Sequence, residues 1–341
     1  MFLVSLRYDN YFLFLLIILG AIIVDLNQHL FLIYLGLELQ TFSSYLLIAK
    51  NGIKGAEGGL KYFVLGGISS GVFLLAISVL ITKDYTLLLS DINSNVIILV
   101  IISLFFKLGL FPFYFWVPDV YEGASSYVIC ALLLPKISII SILFKINYYY
   151  NNSIFIIISI LSVFIGAIGA FNQSKLKRFL AYSGVSHIGY ILFTIILCSY
   201  NVCTYYVFIY IISISVFLYI TTYTNDFLVS LICVNNIIKI TCGIVLLSLA
   251  GVPPFSGFIA KFLVVLIALS KNYMFSAIIL VSISIIGIGF YLRIINIIYF
   301  KNIKYFNWKN ILITPKIFSL NDYFLGFFLY FIVGFKNFVL W

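Results

Sequence analysis

Apolar runs of about twenty residues, parted by short polar joints, recur from one end of the chain to the other. A helix advances about 1.5 Å per residue, so roughly 17–25 apolar residues cross a bilayer core about 30 Å thick. The runs predict eleven crossings, over 11–26, 29–49, 60–82, 96–118, 124–146, 153–171, 179–199, 202–222, 238–270, 273–300 and 322–340. The predicted fold is all-α, a polytopic membrane protein in one membrane domain, 1–341. No Ser/Pro linker and no polar block is long enough to set off a second domain.

Two crossings carry breaks. The fourth reads FFKLGLFPFYFWVPD, with Lys107, Gly109, Pro112 and Pro118; the ninth reads LSLAGVPPFSGFIAKF, with Gly251, Pro253, Pro254, Gly257 and Lys261. Proline removes a backbone donor and clashes with the preceding turn, so each helix should part there. Broken helices in lipid persist only where protein or a wet cavity covers the freed backbone. If 11–146 and 153–300 are five-helix units, each has its break in its fourth helix. Five is odd, so the second unit lies inverted relative to the first. Paired broken helices in inverted repeats point to an ion path. The crossing at 322–340 is an extra C-terminal helix outside the repeat.

Composition supports the membrane reading. Hydrophobic residues make up 64% and charged residues 9%, against about 25% charged in a soluble domain. The net charge of +10 comes from Lys and Arg in short joints, which are topology signals and not a nucleic-acid surface. Placing the N-terminus on side B and alternating gives that side twelve basic residues: Arg7, Lys50, Lys54, Lys61, Lys175, Lys177, Arg178, Lys239, Lys301, Lys304, Lys309 and Lys316. Side A receives Lys83, Lys145, Lys271 and Lys336. Side B, with the N-terminus, is therefore expected in the matrix or cytoplasm. The five Cys have no C-x-x-C spacing and there are two His, so neither a metal nor a redox site is suggested. Met1 leads almost directly into the first crossing, so neither an Arg/Ser-rich amphipathic presequence nor a cleavable signal is expected. Heavy use of Phe, Tyr, Ile, Asn and Lys fits AT-rich codons, as in organelle genomes.

Four ionisable residues fall deep within crossings. Lys136, in ALLLPKISIISILF, lies roughly 15–18 Å from either end of its span, beyond the full reach of a snorkelling stem. Its alternative is a structural Lys bonded to carbonyls freed by Pro135. Glu38, in FLIYLGLELQTFSSYLLIA, is as deep; a nearby Lys would favour its ionised form, and the alternative is a neutral carboxyl bonded between helices. Lys107 and Lys261 each lie beside a break, where freed carbonyls and cavity water can solvate an ammonium; the alternative is a Lys that only plugs the break. Together, four unpaired charges would cost on the order of 10 kcal/mol, which a proton or cation relay explains economically. His187, in AYSGVSHIGYILF, could link the Lys sites or simply bond to a neighbouring helix. Asp25 is expected to be solvated, Arg293 to reach the side B interface, and Glu57 to tune a helix start or pair Lys54 or Lys61. The Lys175–Arg178 cluster reads as a topology anchor or as a contact for a partner subunit or anionic lipid.

The segments GLELQTFSSYLL, AEGGLKYFVLGGISSG, FFKLGLFPFYFWVPDVYEGA, LLLPKISII, NQSKLKRFLAYSGVSHIGYIL and LSLAGVPPFSGFIAKF together resemble the subunit 2 family of mitochondrial NADH dehydrogenase, antiporter-like membrane subunits of respiratory complex I. The resemblance runs over about residues 29–300. It implies that Glu38 is the partner of Lys107, the Lys of the broken seventh helix. It implies too that Lys136 is the eighth-helix Lys, that His187 falls on a tenth-helix polar position, and that Lys261 is the Lys of the broken twelfth helix. Ordinals shifted by three imply that the first three helices of the fourteen-helix form are missing. The resemblance further implies proton translocation by these side chains, with no cofactor bound by this chain. NADH, FMN, iron–sulfur clusters and ubiquinone would belong to other subunits. Its expected partners are other membrane-arm subunits, accessory subunits and lipid, with no nucleic acid. Its expected place is the mitochondrial inner membrane.

Overall fold

The computed structural model describes residues 8–83, 87–89, 94–147, 153–222, 228–233 and 235–300. The first unit holds α1 (Tyr8–Leu26), α2 (Leu30–Ala49), α3 (Gly52–Lys83), α4 (Ser94–Leu108), α5 (Trp116–Gly123), α6 (Ser126–Ala131) and α7 (Leu133–Asn147). Then come α8 (Ser153–Phe171), α9 (Leu176–Ile196), α10 (Tyr200–Thr221), a 3₁₀ turn at Leu228–Cys233, α11 (Asn236–Ala250), α12 (Ser256–Ser270) and α13 (Met274–Phe300). Helices α4 and α5, α6 and α7, and α11 and α12 are halves of single crossings, so the described residues make ten crossings. The expected crossing at 322–340, Arg7 and the five lysines beyond residue 300 lie outside the described residues.

Two expectations need correction. The third crossing begins at Gly52, not 60. Its opening, GIKGAEGGL, is rich in glycine, which disfavours helix by about 1 kcal/mol per residue, yet tertiary contacts with α2 and α5 hold it helical. The fifth crossing, expected to run unbroken over 124–146, is interrupted at Leu132, between Ala131 and Leu133. Pro135 explains this, since its ring opposes the carbonyl four residues back, that of Ala131.

Contacts between joints bear out the alternation of the described crossings. At one end Leu30 N–H bonds the Leu87 carbonyl, Leu89 N–H the Gln28 carbonyl and Asn147 the Ile195 carbonyl, while Lys271 reaches Leu197. At the other end Leu228 N–H bonds the Ser174 carbonyl, Tyr299 the Lys239 carbonyl, and Arg293 reaches Phe171.

Large apolar side chains such as Phe12, Leu35, Leu75, Ile157, Phe262, Ile278 and Ile285 stay exposed around the bundle, where lipid would cover them. Inside, α9 is enclosed almost from end to end. Helix α8 approaches it closely because Gly166 has no side chain; a Cβ there would stand 2.5 Å from the Ser186 nitrogen. Small residues that let backbones approach are the usual basis of helix packing in membranes.

The two central breaks share one geometry. Gly109 and Gly251 both adopt φ above +70°, a left-handed conformation that glycine takes without Cβ strain. Leu110 N–H bonds the Phe105 carbonyl and Gly109 N–H the Phe106 carbonyl; Val252 N–H bonds the Leu247 carbonyl and Gly251 N–H the Ser248 carbonyl. Each is a Schellman closure, which satisfies two orphan carbonyls of a helix end. A cis X-Pro bond follows in both, at Phe111–Pro112 and Pro253–Pro254.

Candidate functional site

Lys107 occupies the last turn of α4, where the carbonyl end of a helix favours a cation, and it leans towards α2. Its Nζ donates to Glu38 Oε1 at 2.8 Å. Only 5% of the Lys107 side chain and 17% of that of Glu38 are exposed. Thr41 Oγ1 stands 3.4 Å from the other Glu38 oxygen. The break beneath is sealed by Trp116, whose Nε1–H donates to the Phe106 carbonyl at 3.1 Å. The expected pairing of Glu38 with Lys107 is thus present as geometry.

Lys136 is buried on α7. It makes no use of the carbonyls that Pro135 frees; its Nζ donates to the Tyr121 hydroxyl on α5 at 3.0 Å and lies 5.2 Å from the centre of that ring. Two residues further along α7, Ser138 donates to Gln40 Oε1 at 3.1 Å. Helix α2, carrying Glu38 and Gln40, is therefore the element shared by the surroundings of Lys107 and Lys136.

Lys261, on α12, reaches back across its break. Its Nζ donates to the carbonyls of Ala250 at 2.8 Å and Leu249 at 3.1 Å, the last two of α11. Among the described residues no carboxylate pairs with it or with Lys136. The geometry needs α12 hard against α11, and Gly257 permits that: a Cβ there would fall on the Ser248 carbonyl. Lys261 Nζ also stands 5.7 Å from the Tyr190 ring centre.

His187 sits at the middle of α9, 5% exposed. Its Nδ1 is 3.0 Å from the Tyr206 hydroxyl and its Nε2 is 3.2 Å from the Tyr291 hydroxyl. A neutral imidazole donates through one nitrogen and accepts through the other, so the two tyrosines play opposite parts. Tyr206 stacks on Tyr190, with ring centres 6.0 Å apart, and Lys261 lies within electrostatic reach of His187. Lys261 thus meets the Tyr190 ring, which stacks on Tyr206, itself hydrogen-bonded to His187.

The breaks match, but their lysines do not hold equivalent positions. Asp119 follows Gly109 by ten residues, as Lys261 follows Gly251, while Leu249 holds the place corresponding to Lys107. Lys107 approaches its break from the helix before it, and Lys261 from the helix after it.

The Lys175–Arg178 segment also makes ion pairs within the chain, which neither of its expected roles foresaw. Lys175 and Arg178 pair with Glu122, and Arg178 Nη2 is 3.1 Å from Asp119. Lys61 Nζ lies 2.8 Å from Asp119 and 2.9 Å from Glu57; Lys54 lies 3.4 Å from Glu122. Burial alone would raise the Glu122 carboxyl, but Lys175, Arg178 and Lys54 outweigh it and hold it below its ordinary value. This cluster ties α3 and α5 to the start of α9. Asp119 and Glu122 lie three apart on α5, on one helix face; as two of only ten acidic residues, they were a signal that sequence reasoning passed over. At the opposite end Asp25 is bonded rather than merely solvated: Ser141 donates to its carboxylate and Lys145 to its carbonyl, the latter at 2.7 Å.

Residues 27–287 match the family described as NADH:quinone oxidoreductase/Mrp antiporter, transmembrane. NADH-ubiquinone oxidoreductase chain 2 of Metridium senile is 33% identical over 324 residues, 86% of this chain and 84% of that protein. NADH-quinone oxidoreductase subunit N of Francisella tularensis subsp. holarctica is 33% identical over 335 residues, 86% of this chain and 69% of that protein. Among solved structures, a chain of respiratory complex I from Thermus thermophilus shares the fold with a TM-score of 0.81 at 24% identity, covering 86% of this chain and 71% of that one. A chain of the Mrp complex from Dietzia sp. does so at 0.75 and 21% identity, covering 84% and 60%. The chain belongs to the NADH:quinone oxidoreductase/Mrp antiporter transmembrane family.

Proposed function

We propose that this family member is a proton-translocating membrane-arm subunit of a respiratory NADH:quinone oxidoreductase, and that it serves as subunit 2 in the mitochondrial inner membrane. The observation that carries the reading is the buried Glu38–Lys107 pair at 2.8 Å beside a broken helix. Its resemblance to the chain 2 and subunit N relatives supports the host complex. The organelle-like composition and the Metridium relative support the mitochondrial assignment, and the basic residues of side B support an N-terminus in the matrix.

In this reading the chain takes part in an enzyme without an NADH or quinone site of its own. Neighbouring subunits hold the cofactors and deliver redox energy as a change in charge near Glu38 and Lys107. Separating the carboxylate from the ammonium alters the proton affinity of both groups, because each is the other's counter-ion in a low-dielectric site. Protons then move among Lys107, Lys136, His187 and Lys261. The residues 11–146 and 153–300 act as two inverted halves, each opening on one side, and the matching Schellman closures at Gly109 and Gly251 support that division.

The test is purification of the tagged chain from its native membrane. It should carry NADH oxidation and quinone reduction with it in one assembly. A stand-alone cation/proton antiporter would instead purify as a single species that exchanges ions in liposomes, and that result would overturn the proposal.

A further inference from the structure

Two hydrogen-bonded sets meet at a tyrosine that belongs to neither. In the first, Lys136 donates to the Tyr121 hydroxyl. An oxygen that accepts from an ammonium must direct its own proton elsewhere, and Tyr121 is buried at 1% exposure. In the second, His187 stands between the hydroxyls of Tyr206 and Tyr291. Tyr210, on α10, borders the His187 set, with its ring centre 5.2 Å from that of His187, and both Tyr121 and Tyr291 act on it electrostatically. Its hydroxyl is buried with no hydrogen-bond partner among the described residues. It projects over Gly184, where a Cβ would come to 2.9 Å. A buried hydroxyl left without a partner costs about 1–3 kcal/mol, a cost a phenylalanine would not incur. The hydroxyl is thus committed to neither set.

We propose that Tyr210 is the rotating link that carries a proton between the Lys136–Tyr121 pair and the His187 set. The proposal rests on the relay reading above and adds the residue that joins its two halves. In one transfer an N–H of Lys136 breaks and an O–H forms at Tyr121, while the proton Tyr121 already held passes to the Tyr210 oxygen. The original Tyr210 proton passes to the Tyr291 oxygen, and the original Tyr291 proton to His187 Nε2. Each hydroxyl ends with one proton, Lys136 is a neutral amine and His187 an imidazolium. One positive charge has crossed from α7 to α9 with no change in oxidation state. Because the Tyr210 hydroxyl has no hydrogen-bond partner among the described residues, its exchanges with Tyr121 and Tyr291 run through intervening water.

The test uses the whole complex in proteoliposomes, comparing Tyr210→Phe with Lys136→Ala for protons moved per electron. Tyr210→Phe keeps the ring and removes no protein hydrogen bond, so a purely structural role predicts unchanged assembly and unchanged pumping. The link predicts normal assembly and quinone reduction with a proton-to-electron ratio lowered as far as in Lys136→Ala. A wild-type ratio in Tyr210→Phe beside a lowered one in Lys136→Ala overturns the link and leaves the relay standing. Wild-type ratios in both overturn the relay and the link with it. Should Tyr210→Phe assemble poorly, Gly184→Ala, which keeps the hydroxyl but displaces it, must lower the ratio in the same way; a wild-type ratio there overturns the link.

Discussion

The ammonium of Lys107 and the carboxylate of Glu38 lie 2.8 Å apart with little of either side chain exposed, so each is the other's main compensation for leaving water. Removing one member of a buried pair strands the other charge and costs about 3–5 kcal/mol, whereas replacing both is often nearly neutral. Glu38→Gln and Lys107→Met should each lower the thermal denaturation midpoint of the solubilised complex. The double variant should recover most of the loss, while remaining unable to pump. Single variants as stable as the parent would count against a charged pair in the folded chain.

Close contact between α11 and α12 rests on one residue. Gly257→Ala would set a Cβ against the Ser248 carbonyl, which has no flexible end to yield. Overpacking of this kind costs about 1–3 kcal/mol, and it would push Lys261 off the carbonyls of Leu249 and Ala250. The amount of assembled complex on native gels should fall; an unchanged amount with unchanged pumping would contradict the described packing.

The cluster at the start of α9 makes a pH-dependent contribution. Glu122 titrates below its ordinary value of 4.5, so the unfolded chain binds its proton more readily than the folded one. Its pairing with Lys175 and Arg178 therefore contributes in full above pH 4.5 and is lost as pH falls through the lowered value. Glu122→Gln should reduce stability at pH 7 and weaken the acid-induced loss below pH 4.5. Thermal scans across that range check it, and superimposable acid limbs in parent and variant would refute it.

Much of this was legible in the chain because it depends on local chemistry. Gly109 and Gly251, each with prolines close behind, announce the two central breaks wherever the helices pack, and about twenty apolar residues in a row announce a crossing. Lys136 and Lys261 were legible as candidates because one lies deep in an apolar run and the other beside a break. Their partners were not. Tyr121, Tyr190, Tyr206, Tyr210 and Tyr291 are five among 26 tyrosines and carry no distinguishing period; only packing brings them to His187 and the lysines. The pairing of Glu122 with Lys175 joins residues 53 apart in sequence, a separation no local pattern encodes. The Gly-rich start of α3 was misjudged for the opposite reason: its poor propensity is real, and tertiary contacts override it.

Proton movement by the buried lysines beside the two breaks is the step on which the proposed function stands. Its most direct test is the number of protons translocated per electron by the intact complex in sealed vesicles, for Lys107→Ala and Lys261→Ala, scored against NADH oxidation in the same preparation. Each variant that assembles should show a strongly lowered ratio. A ratio equal to that of the parent in both would contradict it and leave the chain a scaffold.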